Sequence, residues 1–138
     1  TEEIFAGDSR VLMAGIFQHP FYPYCGAENP APNMCNVPLP AGTRGDDFRQ
    51  VVYDIWLPRL REFQPEMIFI SAGFDAHYED DMASLALVES DYAWVTEQIK
   101  QVAREFSKGR IVSLLEGGYV LSALARSVTT HIKVLADL

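Results

Sequence analysis

Three short apolar runs punctuate the chain, Val11 to Phe17, Met67 to Ala72 and Ile111 to Leu115, each followed by a loop and then by a helical repeat. This is the rhythm of parallel βαβ units. The runs are continuously apolar instead of alternating, which predicts strands covered by helices on both faces. After the first run, Phe48, Val51, Val52, Ile55, Trp56 and Leu60 recur at helical spacing, with Asp46 and Asp47 suited to the N-terminus. Pro58 lacks the N–H that a helix interior uses, so a kink or break is expected there. A second helix is expected from Asp91, capped by Ser90, through Tyr92, Val95, Ile99, Val102 and Phe106 to Gly109, which suits the C-terminal turn. A third carries Leu121, Leu124, Ala125, Val128, Ile132 and Leu135 on one face, and that stripe is read as core.

Three loops separate these elements. Gln18 to Arg44 is rich in Pro, Gly, Asn and aromatic residues and reads as one long loop, a length that is usually functional inside a compact domain. Gly73 to Asp81 holds Asp75, His77, Glu79, Asp80 and Asp81 directly after a strand. Glu116-Gly117-Gly118-Tyr119 joins a strand to a helix. In open α/β sheets ligands bind outside the carboxyl ends of the strands, so the three loops are expected to converge on one site.

Composition narrows the range of functions. With 138 residues and 49% hydrophobic content the chain can bury one core and forms one folding unit or part of one. Its formal charge is −8 and its basic residues are scattered, so it lacks the cationic footprint of a direct nucleic-acid binder. The apolar runs stop far short of the roughly 20 residues a membrane span needs, and a cytoplasmic location is the expectation. Cys25 and Cys35 match no zinc-finger spacing, and two separate thiols are expected in preference to a disulfide. The start at Thr1, without an initiator Met, raises the expectation of a fragment.

Asp75 follows its strand in Ser71-Ala72-Gly73-Phe74-Asp75-Ala76-His77. A carboxylate there can bind a metal, act as a base or cap the next turn, and residue type alone leaves these open. Glu79-Asp80-Asp81 lacks the alternating ligands and Gly of a calcium loop and reads mostly as a solvated face. Glycines at Gly117 and Gly118 permit close backbone approach to a ligand, and the Tyr119 hydroxyl can either donate to an oxyanion or simply pack. Of the histidines, His19 lies in the aromatic loop, His77 lies two residues from Asp75, and His131 reads as an exposed position off the stripe of the last helix. A catalytic zinc normally takes three protein ligands, and spacing supplies no such trio.

Taken in order, Ser71-Ala-Gly-Phe-Asp75-Ala-His77 and Leu115-Glu-Gly-Gly-Tyr119 resemble two motif segments of the histone deacetylase and acetylpolyamine amidohydrolase superfamily. Phe21-Tyr22-Pro23-Tyr24-Cys25-Gly26 is similar to the family's aromatic-Pro-x-x-Gly loop, and Asn36-Val37-Pro38-Leu39-Pro40 to its Asn-Val-Pro-Leu stretch. The resemblance covers essentially the whole chain. It implies an arginase-like three-layer α/β/α domain around a parallel sheet, of which this chain would be the C-terminal part. It also implies Zn2+, held by an Asp-x-His pair and a second Asp that Asp75 matches. The first two ligands and the tandem histidines that move protons would lie upstream, with Thr1-Glu2-Glu3-Ile4-Phe5 similar to the stretch that follows them.

By the same resemblance Tyr119 matches the tyrosine that polarises the scissile carbonyl, and a Tyr there, where some branches carry His, favours a competent enzyme. Tyr22 matches an aromatic wall of the acyl-lysine channel, and Gly118 a backbone position lining it. Phe5, Asp8 and Val11 match the spacing of a structural K+ site built from main-chain carbonyls. Gly15 stands where a Ser is usual and Phe17 where a His is usual, which puts a second cation site in doubt; Asp81 stands where Pro is common.

The function implied is hydrolysis of N-acetyl-lysine or a related acetylated amine such as an acetylpolyamine, with the chain inactive by itself. Its expected partners are the acetylated substrate, the missing N-terminal part of the same enzyme and, through an uncovered sheet edge, further copies of itself. The rival from another class is a non-catalytic α/β module that holds a small anionic ligand at Gly117-Gly118.

Overall fold

The computed structural model describes residues 1–28 and 30–138; Asn29, inside the long loop of the sequence reading, lies outside the described residues. A short helix α1 (Glu2–Phe5) leads to strand β1 (Met13–Gln18), then β2 (Met34–Leu39). A helical stretch follows as α2 (Gly45–Val51), a π-turn (Val52–Trp56) and α3 (Leu57–Phe63). Then come β3 (Ile68–Ala72), α4 (Glu89–Phe106), β4 (Ile111–Leu115) and α5 (Leu121–Leu135). The strands pair in parallel as two ladders, β1 with β2 from Met13↔Met34 to Gln18↔Leu39, and β3 with β4 from Ile68↔Ile111 to Ala72↔Leu115. No helix among the described residues is long and apolar enough to cross a membrane.

Strand β2 corrects the expectation of one long loop. Met-Cys-Asn-Val-Pro-Leu carries an Asn and a Pro and so does not read as a strand. In the parallel ladder, however, Asn33 and Leu39 present their carbonyls to the N–H groups of Met13 (3.0 Å) and His19 (2.8 Å). By alternation the nitrogen of Pro38 points away from β1, so no ladder bond is lost.

In place of the break expected at Pro58, the helix runs on and widens. Just before the proline the hydrogen-bond register lengthens, with the Leu57 N–H donating to Val52 O, and Pro58 falls in the first turn of α3, where its missing N–H costs little. Helix α4 starts earlier than expected. Its N-cap is Val88, and Asp91, not Ser90, supplies the side-chain oxygen, accepting the Val88 N–H at 2.9 Å. Arg49 of α2 closes on the same carboxylate at 2.8 Å and so ties α2 to α4.

The core draws on strands β1 to β3 and on the helices from α2 onward. Phe48, Val52, Leu57, Ala72, Phe74, Leu87, Tyr92 and Val102 form one buried cluster, and Ile16, Trp56 and Ala76 link it to a second around Val37, Leu39 and Leu85. Two features of the core depart from the sequence reading. First, the helices cover β3 and β4 on one face only. Phe69 is 67% exposed and Leu114 52%, so the apolar runs extend beyond the cover that the helices of this chain provide.

Second, α5 buries Ala123, Ser127 and His131, while Leu121 and Ile132 of the expected stripe face outward. Small residues at positions 123 and 127 let α5 lie close against its neighbours, and a polar residue completes the row. His131 is therefore buried, not exposed. Thr96 donates its hydroxyl hydrogen to Tyr92 O (2.6 Å), so it must accept from His131 Nδ1 at 2.7 Å. Nε2 is then left to accept from the Ser113 hydroxyl at 2.9 Å. One neutral imidazole thus ties α4, α5 and β4. At the far end of the same helix pair, Lys100 Nζ donates to Val134 O and Asp137 Oδ1.

Burial holds the His131 pKa below its ordinary value near 6.5. Because the folded value is depressed, the stability that depends on the neutral ring is complete above about pH 6.5 and is lost as pH falls toward the folded value. Thermal melts between pH 7.5 and about 5, above the range where carboxylates titrate, should show this decline in the wild-type chain and a flatter profile in His131→Leu. An unchanged slope in the variant would assign the decline to another group.

Candidate active site

Because β3 and β4 run parallel and end level at Ala72 and Leu115, the loops that follow them leave the sheet side by side. The ladder carries on into them: the Glu116 N–H donates to Ala72 O (2.9 Å) and the Phe74 N–H to Gly117 O (2.8 Å). Asp75 is the next residue, and its half-buried carboxylate lies against Gly117 so closely that a Cβ there would sit 2.6 Å from Asp75 Cγ. Only glycine leaves this room. At Gly118 the backbone has φ +138°, and a Cβ would fall 2.7 Å from Leu124 Cδ1. Both glycines of the motif are therefore fixed by contact, one with the acid and one with the helix that follows. Tyr119 comes next and is exposed.

A buried polar frame holds these loops. Asp80, expected on a solvated face, is only 5% exposed. Its Oδ2 accepts the N–H groups of Tyr119 (2.7 Å) and Val120 (3.3 Å), and Oδ1 that of Met82 (3.0 Å). Burial pushes its pKa up, but the donors at Tyr119, Met82 and Val120 outweigh this and hold it below the ordinary carboxylate value. The need for such a group was visible in the sequence: Val120 caps α5 without a side-chain oxygen, so the acceptor had to come from elsewhere.

His77 is wholly buried beneath the same loop. Its Nδ1 accepts the Glu79 N–H at 3.1 Å, which places the proton on Nε2, 3.5 Å from Glu89 Oε1. Arg126 of α5 reaches both acids, Glu79 at 2.5 Å through Nη2 and Glu89 at 2.5 Å through Nε, and its hydrogen bond is the main reason the Glu89 pKa falls to about 2. Tyr92, read from the sequence as core, also donates its hydroxyl to Phe74 O at 3.1 Å. Burial, with the charge of Asp75 next, pushes the Tyr92 phenol far above its usual value, so it remains a donor.

Tyr22 lies on the loop after β1 and is 79% exposed. Gln18, at the end of β1, accepts the Ser84 N–H at 2.7 Å, so this loop and the one carrying Asp75 emerge at the same end of the strands. Among the described residues, no hydrogen bond or ring contact joins Tyr22 to Asp75 or Tyr119. Cys25 is exposed and Cys35 buried, and both are free thiols.

Two metal expectations can be set against this geometry. Among the described residues no group of three or more His, Cys, Asp or Glu side chains is placed to hold an ion. Asp75 nevertheless fits a single zinc ligand, because its oxygens take no hydrogen bond from the described residues and it rests in a cradle that any larger residue at position 117 would fill. At the opposite end of β1, the carbonyls of Phe5, Asp8 and Val11 do converge, as a K+ site requires. The point of convergence, however, is taken by the side-chain nitrogen of Asn33, and as the side chains stand they do not fit a cation.

An α/β domain with parallel strands, whose carboxyl-end loops present an aspartate and a tyrosine through a Gly-Gly turn, is the class of protein defined so far. A family model for the histone deacetylase domain matches residues 1–135, and the chain belongs to this family. It is 41% identical over 105 residues to the type-2 histone deacetylase 1 of Dictyostelium discoideum, covering 76% of this chain and 7% of that protein. It is 39% identical over 125 residues to a probable deacetylase of Archaeoglobus fulgidus, covering 86% of this chain and 35% of that one. The crystal structure of the HDA15 HD domain superposes with a TM-score of 0.90 at 30% identity, over 99% of this chain and 40% of the other. The resemblance carried by the two loop motifs is thereby established, and the fold is the arginase–deacetylase one. The chain spans well under half the length of each of these relatives.

Removing the Asp80 oxygens strands two inward-pointing N–H groups at the Tyr119 turn. Asp80→Ala should lower the stability of the chain by ~1–3 kcal/mol and free the Tyr119 and Val120 amides to exchange with solvent, whereas Asp80→Asn, which keeps one acceptor, should do less of both. Chemical denaturation together with amide hydrogen exchange measures the two effects; equal stability of all three proteins would show that Asp80 is not the cap.

Proposed function

We propose that this chain is part of a zinc-dependent deacetylase that hydrolyses the amide of N-acetyl-lysine or a related acetylated amine such as an acetylpolyamine. The observation that carries the reading is the pairing of the Asp75 and Gly117-Gly118-Tyr119 loops by the Phe74 N–H to Gly117 O bond, which sets a metal-type carboxylate against the loop that carries an exposed tyrosine. A zinc ion held in part by Asp75 would supply Lewis-acid polarisation of the scissile carbonyl and an acidified water.

Tyr119 contributes an O–H that donates to the oxygen of the amide as negative charge develops on it. Gly118 would line the path of the substrate stem through its backbone, while its missing side chain makes room for Leu124. Tyr22 walls the same path with an aromatic face, a surface suited to an aliphatic chain. Asp80 acts through Tyr119: by fixing the Tyr119 and Val120 N–H groups it holds the backbone from which the tyrosine side chain projects. The remaining ligands and the proton-transfer groups would come from the rest of the domain, so the 138-residue chain alone is inactive.

In a form of the enzyme extended to the full family domain, Tyr119→Phe should lower kcat by about 10²–10³, or about 3–4 kcal/mol of transition-state stabilisation, with zinc stoichiometry unchanged. Asp75→Asn should lower bound zinc along with activity. Steady-state kinetics on an acetyl-lysine peptide with metal analysis of the same preparations separates the two roles. Near-normal kcat in the first variant and full zinc content in the second would overturn the deacetylase reading.

A further inference from the structure

The segment between α1 and β1 folds as consecutive tight turns, with the Asp8 N–H donating to Phe5 O (3.0 Å) and the Val11 N–H to Asp8 O (3.1 Å). These turns aim the carbonyls of Phe5, Asp8 and Val11 at one point. Three converging oxygens repel one another unless something positive stands between them. The Nδ2 atom of Asn33 stands there, 2.8 Å from Phe5 O, 3.2 Å from Asp8 O and 2.9 Å from Val11 O.

The amide cannot be the other way round. Asn33 Oδ1 accepts the Gly7 N–H at 2.9 Å; a flip would set a donor against that N–H and an acceptor against three carbonyls. The Asn33 backbone is fixed as well, because its carbonyl accepts the Met13 N–H at the start of the β1–β2 ladder. The carboxylate of Asp8, the one acid within the turn, is occupied by Arg10, whose Nε and Nη2 donate to it at 3.0 and 2.7 Å.

We infer that in this protein the Asn33 side-chain amide takes the place of the structural monovalent cation, so that the turn from Phe5 to Val11 is held by a donor built into the chain and does not respond to K+. The two amide hydrogens serve three acceptors, the longest distance being to Asp8 O, so one hydrogen is shared. The geometry replaces an exchangeable ion with a covalently tethered group at the same point.

The test is made on the 138-residue chain. The Asn33 side-chain NH2 and Gly7 amide resonances are followed as KCl replaces choline chloride at constant ionic strength. Neither should shift, and a saturable K+ response at either would overturn the proposal. Asn33→Asp puts an oxygen where the donor stood. In choline, its Gly7, Asp8 and Val11 amides should exchange roughly tenfold or more faster than in the wild type, the size expected for losing one or two hydrogen bonds, and K+ should restore protection by filling the gap. Wild-type exchange rates for the variant in choline would show that Nδ2 does not hold the oxygens. Loss of protection that K+ leaves unrepaired would show that they never formed a cation site. If Asn33→Asp does not fold, the wild-type titration decides.

Discussion

The Phe74 N–H to Gly117 O bond extends the β3–β4 ladder past the end of both strands, and the arrangement of the site follows from it. Parallel strands send their following loops off the same edge of the sheet, but they do not by themselves bring those loops into contact. One further main-chain bond does, and it presses the Asp75 carboxylate against the other loop. The absence of a side chain at position 117 is then a condition of closure, and the positive φ open to glycine at Gly118 is the way the chain turns from that contact into α5. Asp80, His77 and Arg126 sit behind the paired loops as a frame of polar groups whose directions are set by one another.

What could be read from the sequence followed the physics of each level. The β1, β3 and β4 runs and the three helical stretches were legible because apolar periodicity is a local property. Asp75 and Tyr119 stood out only through the resemblance of their motifs to the family's, because position after a strand left a capping or packing reading open for each. Strand β2 was not, because its pairing with β1 is decided across the chain by register and its own residues include a proline. Asp80 and His131 were misread for a common reason: a charged or polar residue in an acidic or helical context is exposed by default, and only tertiary neighbours, here the N–H groups of Tyr119 and Val120 and the hydroxyls of Thr96 and Ser113, can bury it without cost.

The Asn33 amide and the Asp80 carboxylate solve opposite problems by the same means. At one end of the strands, converging acceptors require a donor; at the other, converging donors require an acceptor. In each case a single side chain from a distant segment fills the centre. The turns at the two ends are therefore held by point contacts, while the strands between them rest on distributed packing.

The π-turn between α2 and α3 has a bearing on how this chain can change length. A π-turn accommodates one residue more than the α-helical turn it replaces. Deleting a single residue from Val52–Trp56 would close the turn to ordinary α-helical spacing and leave Phe48 and Leu57 on the faces they now hold. Pro58 would then stand inside an unbroken helix, where its ring meets the carbonyl of the residue four positions before it. The widened turn and the proline are thus linked: the extra residue can be lost only after Pro58 has changed.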